Sequence, residues 1–384
     1  MAVAIIGAGP GGLTLARTLR VHGIDAVVYE REASRAARAQ GGMLDLHRES
    51  GQRALREAGL EAEFLAVARG EGQDMRLLEP DGTLLLQEDT PDDAPLERPE
   101  VDRADLRNIL LDSLPEQAVQ WGRDFRSATA WPGGGHRIRF ADGSTAECDL
   151  LVGADGAYSR VRPLLTDARP VHIGRNTVEG VIPDLDRTHP ELAAALGRGT
   201  YWVLGPDQSL ATQRNGDGRV RVYLSFHTGE GWLTDAGGPF ADPDPDRVRA
   251  ALLELFADWA PQCAALIRAC EGPFVPRPIA TLPIGLTWDA VPGVTLLGDA
   301  AHLMAPAGLG ANTAMLDAAE LALRLASAAV GGNGDGRVEA AVRAYEEEMF
   351  VRAAEAAREA QRMTELLMSP EGARGLLKFF QPER

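Results

Sequence analysis

Residues 2–12, AVAIIGAGPGG, run an apolar stretch straight into a glycine turn, and few folds accommodate that. A continuous apolar run ended by glycine reads as a buried parallel strand. Residues 12–22 then follow helical spacing, with Leu13, Leu15, Ala16 and Leu19 toward one face, and AVVYE at 26–30 supplies the next strand. The N-terminus is therefore a strand–helix–strand unit. In its turn, Gly7 permits the tight bend, Gly9 lets the backbone approach a pyrophosphate, and Gly12 lets helix and strand pack closely. The helix N-terminus offers N–H groups and a partial positive charge to phosphates. A plain glycine turn would show the same spacing. Glu30 separates the two readings: it closes the second strand 23 residues after Gly7, where a carboxylate accepts hydrogen bonds from ribose hydroxyls. The unit reads as a dinucleotide site, and the motif alone does not say which dinucleotide.

The chain has 384 residues, more than the ~250–300 at which one core usually stops growing, so one large or two closely joined domains are expected. A net charge of −17 would repel a phosphate backbone, which argues against nucleic-acid binding and serves solubility instead. Cys263 and Cys270 stand seven apart in a helical stretch, which puts their Cα atoms ~10 Å apart, too far for a disulfide. With Cys148 they are expected to be reduced, buried thiols of a cytoplasmic protein, and no Cys/His spacing suggests a metal site. No apolar run reaches the ~18 residues of a membrane span, and the opening segment lacks the basic stretch and length of a signal peptide.

Residues 50–69 and 103–114 read as helices, with the acidic, proline-bearing stretch 88–100 between them as an exposed loop. DLLVGAD at 149–155 is another buried strand ending in a glycine turn. From 170 to 285 the character changes. Short runs such as TYWVL and RVRVYLSF between Gly and Pro turns suggest an antiparallel sheet, interrupted by one helix at 245–270. VTLLGDAAHLM at 294–304 returns to strand-then-turn, and helical patterns follow at 312–329 and 337–367, joined through GGNGDG at 331–336. The expected fold class is α/β (α+β). A Rossmann-type domain is built discontinuously from 1–169 and 286–336, an antiparallel β-sheet domain at 170–285 is inserted in its middle, and a C-terminal helical segment occupies 337–384.

Two further motifs place an acid just beyond a strand's C-terminal end, where α/β folds bind ligands: Asp155 before Gly156, and Asp299 after Gly298. Either acid alone reads equally as a helix cap. The glycine-rich stretch after Asp299 leads into a helix near Asn312, a second helix N-terminus able to stabilise developing negative charge.

GAGPGG with its acid, then GADG with SRVR, then GDAAH followed by proline and G-x-G-x-N stand in one order. In that order they resemble the class A flavoprotein monooxygenases, the p-hydroxybenzoate-hydroxylase family. GGMLDLHRESGQ at 41–52, DRADLRNILLDSL at 102–114, FADWAPQCAALI at 256–267 and GDAAHLM at 298–304 are similar to the tetracycline-inactivating members. The resemblance spans nearly the whole chain. It implies FAD as cofactor, NADPH (or NADH) as transient reductant, and molecular oxygen as co-substrate. It also implies that Glu30 holds the adenosine ribose, with Arg31 near the adenine end, and that Arg107 lies near the phosphate–ribityl region unless it is a surface ion pair. Gly298-Asp299 would bind the ribityl chain, and Asp155 would belong to a motif contacting both FAD and the nicotinamide nucleotide. Pro306, Gly310 and Asn312 would lie along the isoalloxazine ring.

The sequence departs from the tetracycline-inactivating pattern in two places. The loop MAPAGLGAN is one residue shorter, with Ala307 where bulk is expected. Within 179–226, where those enzymes use Gln, Arg, Met, Phe, His and Gly around the drug, this chain has Glu179, Thr200, Trp202, Ala211, Arg221 and Tyr223. The resemblance therefore carries the flavin chemistry across and not the substrate. Glu179, Trp202, Arg221 and Tyr223 are the candidate substrate residues. In RVRVYLSF, Arg219, Arg221, Tyr223 and Ser225 share one strand face. If that face lines a pocket, Arg221 steadies a phenolate; if it faces water, Arg221 is a solubilising charge.

The activity implied is hydroxylation of a phenolic or polycyclic, polyketide- or antibiotic-like small molecule through a flavin hydroperoxide. A flavin oxidase or dehydrogenase without oxygen insertion, and a flavin-bound drug-sequestering protein, are the alternatives. No obligate protein partner is implied, His302 is expected to be structural, and no acid or base is singled out as catalytic, because the cofactor carries the difficult chemistry.

Overall fold

A computed structural model of the chain describes residues 1–37, 41–132, 134–229, 231–234, 238–241, 244–330 and 336–380. They divide into two units, one built from 1–68, 103–171 and 281–360, the other from 69–102, 172–280 and 361–384.

The first unit is centred on a five-stranded parallel sheet in the order Val294–Leu296, Leu150–Gly153, Val3–Ile6, Ala26–Tyr29, Val119–Gln120. The N-terminal strand lies in the middle, and Val3, Ala4, Ile5 and Ile6 are all buried, as a continuous apolar run between two covered faces has to be. The helix Pro10–Val21 begins on proline, whose missing N–H is an orphan at that position anyway, and buries Leu13, Leu15 and Leu19. Against it lies the helix Leu309–Val330. They approach closely at Gly11, where a Cβ would stand 3.4 Å from the Ala314 Cβ. A small antiparallel sheet, Phe125–Ala130, His136–Phe140 and Thr145–Cys148, was not anticipated from the sequence. It docks through Phe140, whose ring centroid lies 4.8 Å from that of Tyr29.

The second unit is a seven-stranded sheet in the order Glu271–Thr281, Val171–Ile182, Val220–His227, Gln208–Arg214, Thr200–Gly205, Met75–Leu78, Leu84–Glu88. Most neighbours whose register is resolved are antiparallel, while Met75–Leu78 runs parallel to Thr200–Gly205. Alternation gives its two faces different characters. Val178, Val203, Leu210, Val220, Val222, Leu224 and Phe226 form one core with Leu252, Phe256 and Leu266. On the opposite face Leu77, Trp202 and Leu204 are covered by Leu367 and Leu376 near the C-terminus.

Several boundaries differ from the expected ones. Residues 69–102, assigned to the nucleotide domain, supply two strands of the seven-stranded sheet. Arg337–Leu367 is one helix, but from 361 onward it belongs with the second unit, as does Gly372–Phe380. The helix expected at 245–270 is two, Pro245–Leu255 and Pro261–Ala269. Pro261 forces the preceding Ala260 to φ −51° and ψ 146°, out of helical geometry. The helix expected at 50–69 breaks at Gly59, whose φ of +64° ends Gly51–Glu57 before Glu61–Leu65 begins. Two short helices, Leu185–Thr188 and Pro190–Leu196, appear within the sheet domain. Of the expected joint at 331–336, residues 331–335 lie outside the described residues.

Cys148, Cys263 and Cys270 are free and buried. Burial pushes the Cys148 thiol up to about 11 and those of Cys263 and Cys270 up to about 12, so all three are inert at neutral pH. Among the described residues, no helix is long and apolar enough to cross a membrane.

Candidate functional site

The three glycines of the first turn are there for different reasons. A Cβ at Gly7, where φ is +110°, would lie 2.4 Å from the Ala154 carbonyl oxygen, and one at Gly12 would lie 2.1 Å from the Gly7 oxygen. Those positions leave no room for a side chain. A Cβ at Gly9 would meet nothing within 4 Å. Packing does not require glycine there, yet Gly9 sits at the N-terminus of Pro10–Val21, which carries no side-chain cap. The positive end of the helix and its orphan N–H groups adjoin that open flank. The arrangement fits a phosphate drawn close to the backbone.

Glu30 is buried at the end of the second strand, and its carboxylate braces the turn. Oε2 accepts from the Ala8 N–H at 2.7 Å and Oε1 from the Glu32 N–H at 2.9 Å. Further lone pairs on both oxygens remain suited to ribose hydroxyls. Arg31 is exposed beside it. Arg107 is not a surface pair. It is buried, donates to Glu32 at 2.8 Å and to the Arg35 carbonyl at 3.1 Å, and lies 5.4 Å over the Trp121 ring. It holds the segment that follows Glu30.

Asp155 and Asp299 stand just past the ends of adjacent strands, Leu150–Gly153 and Val294–Leu296. Arg162, which the sequence reading did not single out, ties the two motifs together. Its Nε donates to the Ala300 carbonyl at 2.7 Å, and its Nη2 to the carbonyls of Ala157 at 2.7 Å and Asp299 at 3.1 Å. The Asp155 Oδ2 accepts from the Arg160 N–H at 2.7 Å, while its Oδ1 is buried without a partner. Both acids are half-buried residues whose carboxyls are densely surrounded by protein. Burial pushes both above the usual carboxylate value, with His302, Arg103 and Arg162 pulling Asp299 back. Gly310 comes against Asp299, since a Cβ there would stand 3.7 Å from Oδ1. Pro306 is exposed on the loop between.

Asn312 is fixed by hydrogen bonds at both ends of its amide. Its Oδ1 accepts from the His47 N–H at 2.9 Å and the Gly51 N–H at 3.2 Å, and its Nδ2 donates to the carbonyls of Asp45 at 2.8 Å and Gly308 at 2.9 Å. It fastens the 45–51 segment to the start of the long helix. His302 is an anchor of the same kind. Its Nε2 lies 2.6 Å from the Asp317 Oδ2, and Asp317 also accepts from Arg352 at 2.8 Å and from the Gly298 N–H at 3.2 Å. Burial pulls the His302 pKa down, but the charge and hydrogen bond of Asp317, with Asp299, hold it above the usual histidine value. Burial works the other way on Asp317, where His302 and Arg352 prevail and keep it low. The sequence signal for this cluster is Asp317, the one charged residue inside ANTAMLDAA.

In the second unit, three of the expected substrate residues fall into one transverse row. Trp202 stands opposite Ala211, Ala211 opposite Tyr223, and Tyr223 opposite Glu179. Arg221 shares their face one step along the strand. It is neither water-facing nor free to clamp a phenolate: it is buried, ion-paired with Glu179, and 3.3 Å from the Asn215 Oδ1. The second oxygen of Glu179 is held by Arg277 at 2.6 Å.

The sequence matches the family described as FAD binding domain over residues 1–255 and 291–360. The chain belongs to the class A flavin monooxygenase family. This flavin monooxygenase is 32% identical to Monooxygenase asqM of Emericella nidulans over 415 residues, covering 92% of each chain. Among solved structures it is similar to Klebsiella pneumoniae HpxO complexed with FAD and uric acid, with a TM-score of 0.80 and 24% identity over 100% of this chain and 92% of that one. It is also similar to the tetracycline destructase Tet(51), with a TM-score of 0.72 and 19% identity over 99% and 96%. At such identities both structures speak for the fold alone. The expected family and fold class are borne out.

Proposed function

We propose that this FAD-dependent monooxygenase consumes NADPH or NADH and hydroxylates a phenolic or polycyclic small molecule. The observation that carries the reading is the open flank of Gly9 at an uncapped helix N-terminus, in the unit where Arg162 ties Asp155 and Asp299 together at adjacent strand ends. Gly9 and the helix N-terminus would receive the pyrophosphate, Glu30 the adenosine ribose, and Asp299 the ribityl hydroxyls. FAD, when bound, supplies electron transfer from the nicotinamide to dioxygen and delivery of one oxygen atom. In sum, substrate–H, NAD(P)H, a proton and dioxygen become substrate–OH, NAD(P)⁺ and water.

The residues of this chain bind and position. The row from Trp202 to Glu179 sets the rings of Trp202 and Tyr223 in line with the Glu179 carboxylate, residue types suited to a ring system. The ion pair of Glu179 with Arg221 fixes that row in place. The 3-amino-4-hydroxybenzoate 2-monooxygenase PtnB3 of Streptomyces platensis, 30% identical over 98% of this chain, supports an aromatic ring as the substrate class. A panel of phenolic and polycyclic compounds tests the reading. The expected result is nicotinamide oxidation stimulated by at least one ring compound; flavin reduction indifferent to every ring compound would count against it.

A further inference from the structure

His302 closes the short helix Asp299–His302, three residues after Asp299 and so on the same side of it. It is 7% exposed, and its Nε2 lies 2.6 Å from the Asp317 Oδ2. Asp317 is shared, because Arg352 donates to its other oxygen at 2.8 Å. Tyr345, which feels both Asp317 and Arg352 from the same helix as Arg352, gives its hydroxyl to the Leu296 carbonyl at 3.0 Å. With Arg352 already answering Asp317, a proton on His302 leaves positive charge over, and the remaining acid beside it is Asp299. Among the described residues, no hydrogen bond engages the Asp299 carboxyl. Burial pushes it up, and His302, ahead of Arg103 and Arg162, pulls it back.

An imidazolium has two N–H donors, and Asp317 takes one of them. The other ring nitrogen, Nδ1, is buried without a partner in the protein. His302 also lines a narrow recess between the 282–286 segment and the Arg337–Leu367 helix, together with Leu282, Phe350, Ala353 and Ala354. The small alanine side chains leave about 10 Å³ there for the centre of a water molecule, room for one. Every other side chain around the recess is apolar, so no second acid or base competes for His302 from that side. Ile284, which also lines it, is 39% exposed, so the recess reaches the surface and can exchange protons with solvent.

We propose that His302 is a positioning residue of the flavin site: held as a cation between Asp317 and one water in this recess, it keeps the Asp299 carboxylate ionised, with both oxygens open to hydroxyl donors. A carboxylate accepts such bonds more strongly than a neutral acid does. The inference rests on reading Asp299 as the acid that receives the ribityl hydroxyls.

Two measurements on the apoprotein test it without turnover. Nitrogen NMR of the imidazole, assigned by its loss in His302→Gln, is expected to show His302 titrating above the ordinary histidine value of ~6.5. Ala354→Val, which fills the recess, should lower that midpoint, and an unchanged midpoint would remove the water from the site. FAD is then titrated by fluorescence from about pH 4 to about pH 8, the range in which a carboxylate and an imidazole change charge. In wild type the affinity should fall only as pH drops through the Asp299 value. In His302→Gln that fall should begin about one to three pH units higher, as expected when a close opposite charge is removed. A histidine that only braces the fold would lower the affinity alike at every pH and leave the onset where it was. Profiles with the same onset, or a His302 that titrates at or below ~6.5, would overturn the assignment. Melting reports whether His302→Gln is folded; if it is not, the wild-type titration of His302 decides. Failure to oxygenate any ring would leave this site standing, and an onset that does not move would leave the proposed activity standing.

Discussion

At the residue scale, the acids that sequence spacing exposes and the side-chain partnerships it hides divide along one line. Asp155 and Asp299 were picked out because each stands just past a strand and a glycine, and Glu30 because it closes the second strand 23 residues after Gly7. The partners of Arg107, Asn312 and Arg221, namely Glu32, the 45–51 segment and Glu179, were not legible because they lie far along the chain. Glu30→Ala should weaken FAD binding about ten- to a hundredfold, since ~1.5–3 kcal/mol of charged hydrogen bonding is lost. Fluorescence titration of the apoprotein measures it, and unchanged affinity would remove Glu30 from the site. His302 makes a prediction about pH. Its folded pKa is raised, so its contribution to stability is fully present below the unfolded value of ~6.5 and fades as pH rises through the folded value. Asp317 is lowered, so its contribution is present above ~3.9 and is lost as pH falls through its folded value. His302→Gln should therefore destabilise by about 1.5–3 kcal/mol near pH 6 and by less as pH rises through the raised folded value. Melting both proteins across that range checks it; a gap that stays constant would show that the pair does not titrate as described.

At the element scale, the strand–turn–helix at the N-terminus was fully legible, because a buried strand, a glycine turn and an amphipathic helix are local patterns. Breaks in helices were less so: Pro261 and Gly59 each divide a stretch whose apolar periodicity runs on past them. The N-terminal turn yields a contrast between two glycines. Gly12→Ala forces a Cβ to 2.1 Å from the Gly7 oxygen, so the protein should lose several degrees of melting temperature or fail to fold. Gly9→Ala meets no protein atom, so the apoprotein should melt within about 0.5 kcal/mol of wild type, while FAD affinity falls at least tenfold. Apoprotein melting and FAD titration, run together on both variants, separate packing from binding. If Gly9→Ala bound FAD normally, the open flank would not be the pyrophosphate seat.

At the scale of the whole molecule, the discontinuous nucleotide unit was visible in the return of strand-then-turn at 294–304, but the seven-stranded sheet was only partly so. Met75–Leu78 and Leu84–Glu88 join it across more than a hundred residues, and no local pattern announces such a pairing. The same sheet argues that tetracycline is a poor substrate. Its candidate row closes Glu179 with two arginines and sets Trp202 and Tyr223 where the resembling enzymes carry other residues, so a ligand matched to their pattern meets the wrong partners. Steady-state assays with tetracycline should show little turnover, and turnover matching a dedicated tetracycline-inactivating enzyme would refute the argument. The central claim is that this molecule inserts one atom of dioxygen into an aromatic ring. Its most direct test supplies the FAD-loaded protein with NAD(P)H, a panel of ring acids and phenols, and heavy-isotope dioxygen, and reads product mass. One heavy oxygen atom in the product, with nicotinamide oxidation that rises on adding that compound, is the predicted result; an oxidised product without label, or peroxide alone whatever ring is offered, would contradict it.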